Sequence, residues 1–142
     1  MNDNINFRSF KQGDYETCVE WWKWWWKRTG LNPVQRALLP SDDRCFMIEK
    51  NGVPVAAYFL LVFEFRLVAF TTYLVTNPNY KEKDRREVIK LLVTKVEKEA
   101  EKIGVMQLFT ILTGSGIVLA IQLILPQLVL KLVIGMVLIL PL

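Results

Sequence analysis

Histidine is absent from this chain of 142 residues, and cysteine occurs only twice, at Cys18 and Cys45. Without histidine there is no Cys/His zinc site and no catalytic triad or dyad built on an imidazole base, so we predict no metal site. The first residues, MNDNINFRSFK, lack the apolar run of a secretory signal. We therefore expect free thiols and a cytoplasmic location.

Charge is nearly missing from the last part of the chain. Between Thr113 and Leu142 only Lys131 is charged, whereas the preceding residues hold the other 17 of the 18 lysines and arginines and all 14 acids. This break in composition predicts a domain over residues 1–112, followed by an apolar tail over residues 113–142.

Three interpretations of the tail stay open. Ile117–Leu140 is long enough to cross a bilayer, although Lys131 near its centre would cost about 3 kcal/mol, which makes a membrane the less favoured partner. The tail can instead complete the fold, with a helix over Ile117–Leu125 and a hairpin over Leu128–Leu140 through Gly135. The third interpretation is an altered, frame-shifted ending, because the composition changes abruptly where the tail begins.

The net charge of +4 is mild, and acids alternate with bases in segments such as KEKDRRE and EKEAEK. Blocks of like charge are missing. This interleaving is typical of a solvated surface, so we expect no nucleic-acid partner.

The first half of the chain predicts a strand, a helix and a hairpin. Ile5–Phe10 alternates like a short strand, and Asp14 can cap a helix that runs to about Arg28. Asn51 and Gly52 form a strong hairpin signal between two apolar runs. These runs are Cys45–Glu49 and Val53–Val62.

A strand–loop–helix–strand unit follows. Phe70–Pro78 is rich in β-branched and aromatic residues. The next helix carries one apolar stripe, with Asp84 and Glu87 as a capping box and Gly104 as its end, and Val105–Leu112 is the second strand. Strands joined in this way normally pair in parallel, and the helix N-terminus then faces the end of the first strand, where its free N–H groups favour a phosphate.

The order of these elements and three stretches of sequence resemble the GNAT (GCN5-related N-acetyltransferase) superfamily. The stretches are FRSFKQGDYETCVEWW, MIEKNGVPVAAYFLLV and TTYLVTNPNYKEKDRREVIKLLVTKVEKEAEKIGVMQLFTI. The tryptophan-rich first helix is similar to that of small GNAT-like proteins encoded by bacteriophages. The resemblance covers about residues 5 to 112. It implies an α/β fold, GNAT-like, with a mixed, mostly antiparallel sheet flanked by helices, and a location in the host cytoplasm or virion if the chain is phage-encoded.

The resemblance also implies that acetyl-CoA binds against the fourth strand. The pantetheine arm would pair with backbone near Leu74 and Val75, and the pyrophosphate would lie at the helix N-terminus. The family motif there is Arg/Gln-x-x-Gly-x-Gly/Ala, whereas this chain has Asp84 and Arg86 in place of the glycines. Four basic side chains are then the candidate phosphate ligands: Lys81, Lys83, Arg85 and Arg86.

No catalytic residue can be assigned. GNAT enzymes that transfer the acyl group directly often use a glutamate base and a tyrosine acid after the fifth strand, but residues 114–125 contain no tyrosine. Glu64 lies near the expected mouth of the cleft and could take a proton from an amine. A glutamate between two strands more often simply belongs to a turn.

The segment Trp21–Trp26 of the first helix holds all five tryptophans. On a helix, three of them share a face with Cys18, which predicts burial in the core: Trp21, Trp22 and Trp25. Trp24 and Trp26 fall near the boundary of that face. The alternatives are a wall of the substrate site or a contact surface for a protein partner.

We therefore expect an acyl-CoA-dependent N-acyltransferase, intact or degenerate, that transfers acetyl from acetyl-CoA to an unidentified amine. The amine would bind between the tryptophan helix and the mouth of the sheet. The alternative is a non-catalytic GNAT-like structural or interaction protein, virion-associated if phage-encoded, that contacts a protein partner through the tryptophans or the apolar tail.

Overall fold

The computed structural model describes residues 3–63, 68–114, 117–124 and 129–132. Over these residues the chain forms two α-helices, α1 (Asp14–Trp26) and α2 (Arg85–Lys102), and one seven-stranded sheet. The strands are β1 (Ile5–Ser9), β2 (Cys45–Lys50), β3 (Val53–Val62), β4 (Val68–Thr76), β5 (Gln107–Gly114), β6 (Ile117–Ile124) and β7 (Val129–Leu132). Two short 3-10 helices lie between α1 and β2, at Arg36–Leu38 and Asp42–Arg44.

The strands lie in the sheet in chain order, from β1 to β7. Neighbouring strands are antiparallel except β4 and β5, which α2 connects and which run parallel. The fold is therefore α/β, with a mixed, mostly antiparallel sheet, and both the predicted fold class and the predicted parallel pair are confirmed.

The two helices cover opposite faces of the sheet. Alternate residues of β3 point to opposite faces, so Tyr58 belongs to the core under α2, whereas Phe59 belongs to the core under α1. The buried stripe of α2 has the three- and four-residue spacing that the sequence predicts: Val88, Leu92, Val96 and Ala100. Each helix thus buries its apolar face against the sheet.

Two turns have the predicted backbone conformation. Asn51 and Gly52, between β2 and β3, both have positive φ, at 52° and 80°, as a tight hairpin requires. Gly104 follows the end of α2 with a φ of 88°, the left-handed conformation in which glycine terminates helices.

The two predicted side-chain caps are wrong. Gly13 holds the cap position of α1, and although Asp84 precedes α2, no side-chain cap bond forms at either helix. The carboxylates bind cations on neighbouring strands instead: Asp14 accepts hydrogen bonds from Arg8 on β1, and Asp84 accepts one from Lys50 on β2. Both partners are charged in these hydrogen bonds, whereas only the carboxylate would be charged in a cap bond to a backbone N–H, so each carboxylate binds the cation.

The helix predicted over Ile117–Leu125 is also wrong, because Ile117–Ile124 is strand β6. It pairs antiparallel with β5 along its whole length, and β7 pairs in turn with β6. The predicted hairpin through Gly135 lies outside the described residues. Among the helices that the structure describes, none combines the length and the apolar character needed to span a membrane.

Candidate functional site

A cleft opens where β4 and β5 diverge. The two strands pair only from Val68 opposite Gln107 to Thr71 opposite Thr110. Beyond this last pair, β4 continues to Thr76, while the rest of β5 pairs with β6. The edge of β4 that faces β5 therefore lacks a strand partner after Thr71 in the described part of the chain, and an extended ligand can bind there.

A bulge in β4 lies inside this cleft. The register with β3 shifts between Ala57 and Phe59, so that two β4 residues, Tyr73 and Leu74, lie opposite one β3 residue. Tyr73 has a φ of 60°, which is unusual for an aromatic residue in a strand. Leu74 is the second residue of this bulge and Val75 follows it, and these are the two residues expected along the pantetheine arm. A left-handed residue at that position turns the neighbouring peptide groups away from the regular ladder.

Three buried hydroxyl groups form a chain of hydrogen bonds at the apex of the cleft, the point where β4 and β5 diverge after the pair of Thr71 and Thr110. The hydroxyl of Tyr58 on β3 donates to Thr71 Oγ1 at 2.9 Å, and Thr71 Oγ1 lies 2.7 Å from Thr110 Oγ1. Burial raises the pKa of Tyr58, and burial also raises the pKa of Glu97 on α2. The apex is therefore a polar floor of hydroxyl groups, held together by hydrogen bonds at the last β4–β5 pair.

The N-terminus of α2 is tied to β2 by an ion pair. Asp84 accepts hydrogen bonds from Lys50 Nζ and, at 2.7 Å, from the hydroxyl of Tyr80. The hydrogen bond from Lys50, followed by that from Tyr80, lowers the pKa of Asp84. An acid at this position would oppose a bound phosphate, but Lys50 compensates its charge.

A groove of about 900 Å³ runs along the first turns of α2. Three of the four predicted phosphate ligands line it in the described part of the chain: Lys83, Arg85 and Arg86. Lys90 adds a fourth cation, and Ile89 and Val93 are apolar residues of the lining. Glu87 is an acid in the described lining, so the groove carries an excess of positive charge. Lys81 is exposed and does not belong to the described lining.

Arg85 connects this groove with the tryptophan helix. Its Nη2 donates to Thr76 Oγ1 at 2.7 Å, and its guanidinium lies 5.5 Å from the centre of the Trp25 ring. The indole Nε1 of Trp25 donates to the backbone oxygen of Thr76 at 2.8 Å. The end of α1 and the start of α2 therefore meet at the carboxyl end of β4, beside the cleft.

The predicted core face of α1 is confirmed for Trp21 and Trp22 and wrong for Trp25. Trp21 and Trp22 are buried, whereas Trp25 is 40% exposed. Trp26, which the sequence places near the boundary, packs against the core and stacks on Trp22 at 6.1 Å. Trp25 lies at the end of the sheet because its N–H group finds the Thr76 carbonyl there.

A second groove, of about 470 Å³, lies on the other side of the sheet from α2. The loop after α1 and the ends of β3 and β4 line it, with Arg44 and Asp43 beside Leu61 and Phe70. Phe70 directly precedes the apex residue Thr71 and stacks on Phe109 at 5.4 Å. The groove is therefore a candidate approach to the apex from the α1 side.

Several features of the site were not foreseen in the sequence. Lys50 and Trp25 reach the N-terminus of α2 from other elements, so the sequence near α2 does not indicate them. The hydroxyl chain can be predicted only when the register of the strands is known. A tyrosine in β3 and threonines in β4 and β5 were the available signal, but threonine is common in any strand. Glu64, the candidate base, lies outside the described residues.

Neither a protein-family model nor a curated protein matches the sequence. Solved structures do resemble the fold. N-acetylglutamate synthase from Neisseria gonorrhoeae, in complex with coenzyme A and N-acetyl-glutamate, superposes with a TM-score of 0.62 at 18% identity, over 80% of this chain and 26% of the synthase. An acetyltransferase of the GNAT family from Staphylococcus aureus Mu50 has a TM-score of 0.56 at 13% identity, over 75% and 73% of the two chains.

The acetyltransferase YncA of Salmonella typhimurium, described as putative and solved with acetyl-CoA, has a TM-score of 0.55 at 17% identity, over 75% of this chain and 69% of its own. The chain thus has the fold of GNAT N-acetyltransferases, as the sequence predicts. It spans only about a quarter of the length of the Neisseria synthase.

Proposed function

We propose that this chain binds acetyl-CoA in the cleft between β4 and β5 and transfers the acetyl group to an amine. The observation that carries the proposal is the divergence of the two strands beside a basic helix N-terminus. An extended thiol arm can pair with an open strand edge, and phosphates favour cations and free N–H groups. Both requirements are met at the carboxyl end of β4.

The ligand would lie with its phosphates in the groove along α2 and its thioester toward the apex. Lys83, Arg85 and Arg86 would bind the phosphates by charge, in place of the glycine N–H groups of the family motif. The arm would follow β4 past Leu74 and Val75. Two structural neighbours support this ligand class, since the Neisseria synthase contains coenzyme A and YncA contains acetyl-CoA.

In the transfer, the nitrogen of a neutral amine attacks the thioester carbonyl carbon. A C–N bond forms, the C–S bond breaks, the nitrogen gives up a proton, and the thiolate of coenzyme A takes one up. The groove beside Phe70 is the approach that we propose for the amine, because it reaches the sheet next to the apex from the side away from α2.

Calorimetric titration with acetyl-CoA tests the binding step. We expect saturable binding, and we expect Arg86→Gln to weaken it about tenfold, because a charge-assisted hydrogen bond is worth roughly 1.5–3 kcal/mol. Lys95→Gln is the matched control, since Lys95 is an exposed cation of the same helix outside the described lining of the groove. No heat and no thermal shift at millimolar acetyl-CoA would refute the proposal.

A thiol-release assay with a panel of amines tests the transfer step. Release of coenzyme A that depends on the amine, with an acetylated product of matching mass, is the expected result.

A non-catalytic GNAT-like protein is the second candidate function. It is favoured by the replacement of both motif glycines with Asp84 and Arg86, and by the commitment of Asp84 to Lys50. Binding of acetyl-CoA without turnover of any amine in the panel would support this alternative. It would also be supported if acetyl-CoA did not bind and a protein partner bound through the tryptophan helix.

A further inference from the structure

Two exposed tryptophans at the end of α1 lie in a continuous row with two cations. Trp24 and Trp25 pack edge to face with their ring centres 4.6 Å apart. Lys27 Nζ lies 4.5 Å from the centre of the Trp24 ring, and the Arg85 guanidinium lies 5.5 Å from that of Trp25. We call the four side chains the aromatic row.

The aromatic row continues into the basic groove. Arg85 belongs to both, because it contacts Trp25 and also lines the groove with Lys83 and Arg86. Trp24 and Trp25 are 44% and 40% exposed, whereas the other three tryptophans of α1 pack into or against the core. A pair of exposed aromatic rings next to a basic groove has the composition of a site for a nucleotide.

We infer that Trp24, with the Trp25 ring packed edge to face against it, is the stacking platform for the nucleobase of the acyl donor, so that the chain selects donors that carry a nucleotide. This inference rests on the proposed function. With the pyrophosphate among Lys83, Arg85 and Arg86, the base stacks on the Trp24 ring, and Lys27 binds a phosphate on the ribose. An acyl group on phosphopantetheine alone, as on a carrier protein, lacks this contact.

Charge favours a nucleotide over an aromatic acceptor at the same place. The row contains two cations and no acid, and the neighbouring groove adds further positive charge. An acceptor amine is cationic until it loses its proton, so this surface repels it. An anionic ligand with an aromatic ring is attracted by both components.

The test compares acetyl-CoA with acetyl-phosphopantetheine, which lacks the nucleotide, by calorimetry. We expect the native chain to bind acetyl-CoA at least tenfold more tightly, and we expect Trp24→Leu to remove most of this ratio. Met106→Ala is the control, because Met106 is also exposed and apolar but lies beyond the far end of α2. An unchanged ratio in Trp24→Leu overturns the platform and leaves the proposed function intact.

Quenching of tryptophan fluorescence by adenosine 3′,5′-bisphosphate is the second measurement, since it needs no acyl donor. We expect saturable quenching that Trp24→Leu reduces severalfold and Met106→Ala preserves. If neither acyl donor binds, the proposed function is wrong, and the quenching by adenosine 3′,5′-bisphosphate then tests the stacking platform by itself. Absence of quenching, or a stronger dependence on Trp24 for an aromatic amine than for the nucleotide, overturns the inference.

Discussion

Arg8 joins β1 to α1 and β2 through two carboxylates. Its Nη1 lies 2.6 Å from Asp14, its Nε lies 2.6 Å from Glu49, and Asp14 also accepts the backbone N–H of Lys11 at 2.7 Å. Hydrogen bonding to Asp14 is the main cause of the raised pKa of Arg8. This cluster ties the first turn of the tryptophan helix to β1 and β2.

Asp14→Ala tests this cluster. Asp14 is buried, and its removal leaves the half-buried Arg8 with Glu49 as its remaining carboxylate and the Lys11 N–H without this partner, so we expect the free energy of unfolding to fall by about 2 kcal/mol. Urea denaturation measures the change. The control is Glu20→Ala, which breaks the exposed Lys23–Glu20 pair and should cost less than about 1 kcal/mol. Equal losses in the two variants would contradict the structural role of Asp14.

The two cysteines are expected to be inert in the native state. Both side chains are buried, and burial raises the pKa of Cys45 to about 11 and that of Cys18 further. Because the thiolate is the reactive form, we expect neither to react with a disulfide reagent at pH 8 within minutes. Both should react once urea is added. Rapid modification of one thiol in the folded protein would show that its burial is incomplete.

Residue roles were predictable from the sequence where they depend on near neighbours. Asn51 and Gly52 turn the chain as expected because the backbone conformation of a tight turn is set locally. Asp14 and Asp84 were wrongly predicted as caps because their partners lie on strands. Lys50 is far from Asp84 in the sequence, and Arg8, although near Asp14, meets it only through the way in which β1 and α1 pack. Side-chain partners across elements depend on the complete topology.

At the scale of the elements, a single cation, Lys50, anchors the N-terminus of α2 to β2. Lys50 at the end of β2 contacts both Asp84 and Asp3, and Tyr80 adds its hydroxyl to Asp84. The hydrogen bond to Asp84 is the main cause of the raised pKa of Lys50. These contacts fix the first turn of α2, where we propose that phosphates bind.

The stability contributed by Asp84 should depend on pH. Its pKa is lowered in the native state from an ordinary value of 3.8, so between the two values the unfolded chain binds more protons. We therefore expect the stability difference between the native chain and Asp84→Asn to be constant above about pH 5 and to shrink as the pH falls below 3.8. Urea denaturation at a series of pH values measures it. Glu82→Gln, which removes an exposed carboxylate from the same loop, serves as the control, and a difference that persists to the lowest pH would contradict the pairing.

Element types were predictable from the sequence for β1 to β5 and both α-helices. Apolar spacing indicates the helices, and β-branched runs bounded by turn residues indicate strands. The pattern failed in the apolar tail, because uniform apolarity contains neither a period of two nor one of 3.6. The strand over residues 117–124 is therefore recognised only in the folded sheet, where β6 pairs with β5.

At the scale of the whole molecule, β6 keeps β5 in place beside the open cleft. β5 pairs with β4 only over Gln107–Thr110, so its remaining residues have β6 as their strand partner in the described sheet. The predicted boundary at residue 112 is therefore best tested by truncation. We expect a chain of residues 1–112 to lose cooperative unfolding, since removal of β6 exposes a long strand edge.

Gln122→Pro is a finer test of the same idea, because it removes one hydrogen bond without removing the segment. Gln122 lies opposite Phe109 on one side and Lys131 on the other, so β6 is an interior strand and its N–H groups are paired. We expect a loss comparable to the roughly 3 kcal/mol or more that an interior proline costs in a helix. Gln35→Pro is the matched control, since Gln35 is exposed and already has a φ of −70°. If both variants unfold at the same urea concentration as the native chain, β6 contributes nothing to the sheet, and the apolar tail is better explained as an appendage to a domain that ends at residue 112.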